Sequence, residues 1–146
     1  MGILGPNVRR LLLKQEISRI IYLYKEKKLS ITELIRCLGD YHPSVRGRAA
    51  VALEKIAEMD VKIVRPAVPL LIQLVYDDDS FVCKQAILAL KRIAKSGVEQ
   101  VRPVIPALIK RLNNEDPSVR TTPADLLKKI GKRDVEAIKP ALSALV

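Results

Sequence analysis

Aromatic residues are almost missing from this 146-residue chain, which has four Tyr, one Phe and no Trp. Hydrophobic residues still make up 49% of it against 29% charged, which excludes a disordered chain and allows one domain with a real core. That core must be made of Leu, Ile, Val and Ala, the usual filling of packed helices, which disfavours a β-sandwich or barrel. Cysteine is equally scarce. Cys37 and Cys83 lie 46 positions apart in no CxxC spacing, so neither a disulfide framework nor a zinc cluster is available, and a reducing interior is the natural setting. No apolar run approaches the length of about 18 residues needed to span a bilayer. Arg9 and Arg10 precede only the short stretch Leu11 to Leu13, which is not a charged-then-apolar leader. The expectation is a soluble, cytoplasmic protein with no membrane partner. Asn and Gln number seven in all, and with abundant Lys, Ile and Val this leans towards a thermophilic source.

The groupings that carry catalysis are also lacking. There is one histidine, His42, at a turn position where it reads as a substitute for a helix-capping Asp. The six glycines are scattered, so no phosphate-cradling loop exists. Asp77-Asp78-Asp79 resembles a calcium loop only superficially, because the Gly and the distal Glu of that pattern are absent; it reads as a solvated loop and helix cap. Cys37 and Cys83 sit among apolar neighbours on predicted helices and read as buried, inert thiols. No enzyme, cofactor or metal site is expected.

What is present is a repeat. Val64-Arg65-Pro66-Ala67-Val68-Pro69 returns 37 residues later as Val101-Arg102-Pro103-Val104-Ile105-Pro106, and again as Ile138-Lys139-Pro140-Ala141-Leu142-Ser143. A second set runs from His42-Pro43-Ser44-Val45-Arg46 to Asp79-Ser80-Phe81-Val82-Cys83 and Asp116-Pro117-Ser118-Val119-Arg120, with Gly5-Pro6-Asn7-Val8-Arg9 one step earlier. In the same register Leu53, Leu90 and Leu127 correspond, as do Ile56, Ile93 and Ile130, and Leu34, Leu71, Leu108 and Leu145. These are the predicted core columns. Their spacing within a unit is helical: Val82, Ala86, Ala89, Leu90 and Ile93 share one face, opposite Lys84, Lys91 and Lys95.

Each unit reads as two helices. The first, such as Val101 to Leu112, has a Pro in its opening turn, where the missing N–H has no intrahelical use. The second, such as Pro117 to Lys132, follows Asp116 as cap and is expected to stop at Gly131. Asn113-Asn114-Glu115 makes the turn between them. Such a pair cannot bury its apolar face alone, so neighbouring units must stack. The expected fold is all-α, a right-handed solenoid of antiparallel helix pairs in a single domain. Its units are a half-unit at 5–28, repeats at about 29–60, 61–97 and 98–134, and a terminal half-unit at 135–146.

These residues resemble the HEAT repeats, whose second helix opens on an Asp-Pro-x-Val-Arg turn, matched fully by Asp116-Pro117-Ser118-Val119-Arg120. The 37-residue length is close to the compact HEAT-like repeats of prokaryotic and archaeal proteins. The resemblance implies a ladder of turn Asp and Arg side chains between units, which maps onto Arg46, Asp79, Asp116 and Arg120, with His42 and Cys83 altering two rungs. It also implies that second helices line the concave side. Some HEAT-like proteins are metal enzymes using His-Glu dipeptides, of which this sequence has none, and the absence of Trp and of a base pocket argues against the HEAT-like glycosylases.

Three further expectations follow from the register. Pro123 falls two turns into a second helix and should bend or break it near Thr121 to Ala124. Pro6 to Ile21 has the register of a second helix and Val135 to Val146 that of a first. Leu142, Leu145 and Val146 then either cap the preceding unit or dock end to end on another molecule.

Charge is the remaining signal: 26 basic and 16 acidic residues, a net +10 with an isoelectric point near 9.8. Thirteen of the basic residues against six acidic ones fall in residues 81–146. The register sorts them into columns, Lys55, Arg92 and Lys129 in one and Lys28, Arg65, Arg102 and Lys139 in another. The predicted contact set is Lys84, Lys91, Arg92, Lys95, Lys128, Lys129 and Lys132; the matching positions Gly47, Glu54 and Glu58 make the first unit mixed in charge. Such a surface suits an acidic protein partner that it would steer electrostatically. The alternative partner is nucleic acid, held by its phosphates without sequence reading because stacking aromatics are few.

Overall fold

The computed structural model describes residues 7–113 and 116–139, without the side chains of Ser118 and Val119. Gly5, Pro6, the turn residues Asn114 and Glu115, and the docking question at Leu142, Leu145 and Val146 lie outside the described residues. Every regular element among the described residues is helical, with no strand among them.

Three long helices form the spine: α4 (Pro43–Met59), α7 (Ser80–Ala94) and α9 (Pro117–Arg133), with α4 packed on α7 and α7 on α9. Each is a second helix of the repeat. The caps are local chemistry: His42 Nδ1 accepts from the Ser44 N–H at 3.2 Å, and Asp79 Oδ1 from the Val82 N–H at 3.1 Å. His42 is therefore the capping substitute that its position suggests.

Shorter elements supply the first helices. These are α3 (Ile31–Arg36), extended by a 3-10 turn at Cys37–Gly39; α5 (Val61–Val64) and α6 (Val68–Leu74), joined by the 3-10 turn Arg65–Ala67; and α8 (Ile105–Leu112), entered through the 3-10 turn Arg102–Val104. The prolines explain the interruption. Pro66 and Pro103 fall inside those 3-10 turns, and Pro69 and Pro106 sit in the first turns of α6 and α8, so the predicted helix Val101 to Leu112 resolves into a 3-10 entry and a true α-helix.

The core lies between the helix layers and matches the repeat register. Leu53, Leu90 and Leu127, Ile56, Ile93 and Ile130, and Leu34, Leu71 and Leu108 are all at most 1% exposed. Full burial of each such side chain contributes about 1.5–3 kcal/mol, repeated in each unit and continuous between units. The protein is an all-α solenoid.

Three local expectations are corrected. The N-terminal segment is two helices, α1 (Val8–Leu13) and α2 (Ile17–Lys25), because Gln15 turns left-handed at φ 61° and each helix then packs separately on α4. Helix α9 does not break at Pro123, which is buried inside it. Pro123 occupies the register position of the buried Ala49 and Ala86, so packing of its ring in that column offsets part of the cost of the hydrogen bond that proline cannot donate. Gly131 does not end α9 either. An added Cβ there would lie 2.4 Å from Ile138 Cδ1, so Gly131 is the seat on which α10 (Val135–Ile138) packs.

Candidate binding face

Ion pairs between units set how the second helices present their outer faces. Arg9 Nε reaches Asp40 Oδ2 at 2.7 Å, and Arg46 Nε reaches Asp77 Oδ2 at 2.9 Å, each across 31 positions. Asp40 and Asp77 also accept the backbone N–H two residues on, from His42 at 2.8 Å and Asp79 at 2.9 Å. Each carboxylate thus fixes its own turn and its neighbour's arginine together. This corrects the expected rung: the acid paired with Arg46 is Asp77, while Asp79 serves as the α7 cap. Arg120 is exposed in the first turn of α9, and Asp116 immediately precedes that helix.

Where an arginine would continue the ladder stands Cys83, whose Sγ donates to the Val75 carbonyl at 3.3 Å. Arg111, from α8, takes over the turn, donating through Nε to Val75 O at 2.6 Å and through Nη2 to Asp77 O. Nothing in the register marks Arg111.

On the outer face the predicted contact residues separate into three groups. Arg92 is neutralised within the fold, with Nε 3.2 Å from Glu54 and Nη2 2.8 Å from Glu58 on the preceding helix. Lys84 is exposed but isolated, because its register mates are Gly47 and Thr121. Lys91, Lys128, Lys129 and Lys132 line one shallow groove between α7 and α9, together with Arg133 and a single acid, Asp125. Lys95 lines the neighbouring hollow with Arg92 and Glu58 and is near enough to act on Lys129. The Lys129 ammonium is held below its ordinary pKa by partial burial and then by the positive charges of Lys95, Lys91, Arg133 and Arg92. None of the five lysines has a carboxylate partner among the described residues.

Sequence reasoning missed Arg133. Its register mates are Met59 and Ser96, so it belongs to no column. Its Nη1 donates to the carbonyls of Ala94 and Lys95 at 3.0 Å each, satisfying the free carbonyl end of α7 and holding the cation in place. Half of the second predicted column is neutralised: Arg102 pairs with Asp134 and Lys139 with Glu136, while Lys28 and Arg65 have no ion pair among the described residues.

No group of three or more His, Cys, Asp or Glu suited to a metal occurs among the described residues. Cys37 and Cys83 are free and buried, and burial pushes the Cys37 thiol up to about 11 and raises Cys83 as well. No helix among the described residues is long and apolar enough to cross a membrane.

The family whose model matches, over residues 23–118, is Cnd1, the non-SMC mitotic condensation complex subunit 1. The chain belongs to the Cnd1 family. That assignment supports a HEAT-like helical repeat. Among solved structures, the chain resembles three engineered proteins that were targets of the Northeast Structural Genomics Consortium. One has a TM-score of 0.70 at 27% identity, covering 94% of this chain and 60% of that one. A second has 0.71 at 27%, covering 94% and 61%, and a third 0.69 at 28%, covering 94% and 36%. This Cnd1-family chain therefore spans less than two thirds of the length of each. No curated protein gives a significant match.

Proposed function

We propose that this chain is a non-catalytic helical-repeat scaffold of the reducing cytoplasm that binds an acidic protein partner on the α7–α9 face. The observation that carries the reading is the gathering of Lys91, Lys128, Lys129 and Lys132 with the pinned Arg133 around a single acid, Asp125, with Lys95 near enough to act on Lys129. At Arg9, Arg46, Arg92 and Arg102 the fold meets its own cations with carboxylates, whereas this groove gathers five cations around one acid. Concentrated like charge that destabilises its own members is relieved by a ligand of opposite sign. The family name, that of a complex subunit, agrees with a role in assembly.

A second reading is a nucleic-acid solenoid using the same lysines against phosphates, favoured by the net charge of +10. Aromatics that could stack bases do not enter the groove: Tyr41, Tyr76 and Phe81 are exposed, but none lines it.

Fluorescence anisotropy with a labelled Glu-rich peptide and with single- and double-stranded oligonucleotides, at about 50 and 200 mM salt, tests both. The protein-partner reading expects the peptide to bind and the oligonucleotides to bind no better. Oligonucleotide binding that is far tighter and steep in salt moves the function to the second reading. No binding by any probe refutes both.

A further inference from the structure

The two successive helix interfaces of the spine solve the same electrostatic problem differently. Between α4 and α7, the cation at register position 92 is met by two carboxylates four residues apart, Glu54 at 3.2 Å and Glu58 at 2.8 Å. Between α7 and α9, the cation in that position is Lys129, and the residues corresponding to Glu54 and Glu58 are Lys91 and Lys95. Two negative charges have been replaced by two positive ones at equivalent places in the stack. Arg133, fixed on the end of α7, adds a cation that cannot swing away.

The two register positions that bring carboxylates to Arg92 bring lysines to Lys129, and Asp125 is the single acid on the groove, so a compact group with two negative charges suits the surplus. A single carboxylate supplies one charge. A phosphate monoester supplies about −1.5 to −2 at neutral pH on three acceptor oxygens, able to accept from several ammonium groups at once. We infer that the α7–α9 groove, through Lys91, Lys129 and Arg133 with Lys95 at its margin, binds a phosphorylated residue of an acidic partner segment. The inference rests on the proposed role of this face as the contact surface and adds what its centre recognises. Asp125, on the same groove, opposes the anion and limits its affinity.

The test uses the full chain and three forms of one Glu-rich peptide, with a central serine, phosphoserine or glutamate, measured by titration calorimetry. The phosphoserine form should bind about tenfold tighter than the serine form, and glutamate should not reproduce the gain. Lys129→Gln, or Lys91→Gln with Lys95→Gln, should abolish the phosphate-dependent gain while the helical circular dichroism is retained. Asp125→Asn should tighten the phosphoserine form. Equal affinity for all three forms, each weakened by the lysine variants, overturns the phosphate inference and leaves the acidic-partner reading standing. Competition by inorganic phosphate or tripolyphosphate as strong as by the phosphopeptide would assign the site to free phosphates and overturn the peptide part. Binding of duplex DNA with none of the peptides would overturn both.

Discussion

Arg111 and Cys83 donate to the same acceptor, the carbonyl of Val75, from 2.6 and 3.3 Å. One side chain comes from the first helix of its unit and the other from the second helix of the unit before. Together they close the turn that a ladder arginine would have closed. Arg111 holds two carbonyls at this half-buried site, including that of Asp77.

Arg111→Ala should therefore destabilise the fold by about 2–3 kcal/mol, the scale of two hydrogen bonds from a charged donor to carbonyls left dry. Urea unfolding followed by circular dichroism measures it. A loss no larger than that of an exposed substitution such as Lys84→Ala would show that Cys83 suffices alone.

Asp40 makes part of the stability acid-sensitive. Burial would push its carboxyl up, but the hydrogen bonds from Arg9 and the His42 N–H, with the charges of Arg9 and His42, outweigh that and hold it below the ordinary value. A carboxyl depressed in the native state stabilises fully above its unfolded value, about 3.9, and that contribution is lost as pH falls through the native value. The stability gap between the natural chain and Asp40→Asn should thus be constant from pH 7 to about 5 and close below about 4. A gap that persists unchanged at pH 2 would contradict the assignment.

The cysteines should be inert. With Cys37 raised to about 11 and Cys83 also raised, each under 8% exposed, neither thiolate nor access is available at neutral pH. A thiol reagent at pH 8 should label neither in the native protein and both in denaturant, read by mass. Because a raised thiol stabilises below its unfolded value and ceases to as pH rises through the native one, stability should also fall between about pH 9 and 11.

Pro123→Ala should stabilise the protein by about 2 kcal/mol. It restores a backbone hydrogen bond in α9 at a position where Ala49 and Ala86 already show that alanine packs, less what the pyrrolidine ring contributes to the core. A lowered denaturation midpoint would mean that the ring's packing outweighs the helix.

The legible part of this fold is what repeats. The Leu and Ile columns and the second helices follow from apolar spacing at a 37-residue register, and burial bears them out. The lysines of the groove were visible in the same way, as columns. The break at Gln15 had no Gly or Pro to announce it, and Gly131 gave a stop signal that contact with Ile138 overrides. The ladder acid was visible but misread: Arg9 and Arg46 repeat with Asp40 and Asp77, whereas the turn pattern drew attention to Asp79, which caps a helix. Arg111 and Arg133 were invisible because neither belongs to a column, each acting once, across the stack, on backbone carbonyls. Arg92 shows that a column position alone does not make a free charge, since Glu54 and Glu58 consume it.

The most direct measurement of the central claim is binding of the Glu-rich peptide to a variant carrying Lys91→Glu, Lys128→Glu and Lys132→Glu, with circular dichroism as the check on folding. These side chains flank the groove and are not needed by the core, so the variant should fold and lose binding by at least about a hundredfold. A folded variant that binds as the natural chain does would place the contact surface elsewhere and contradict the account.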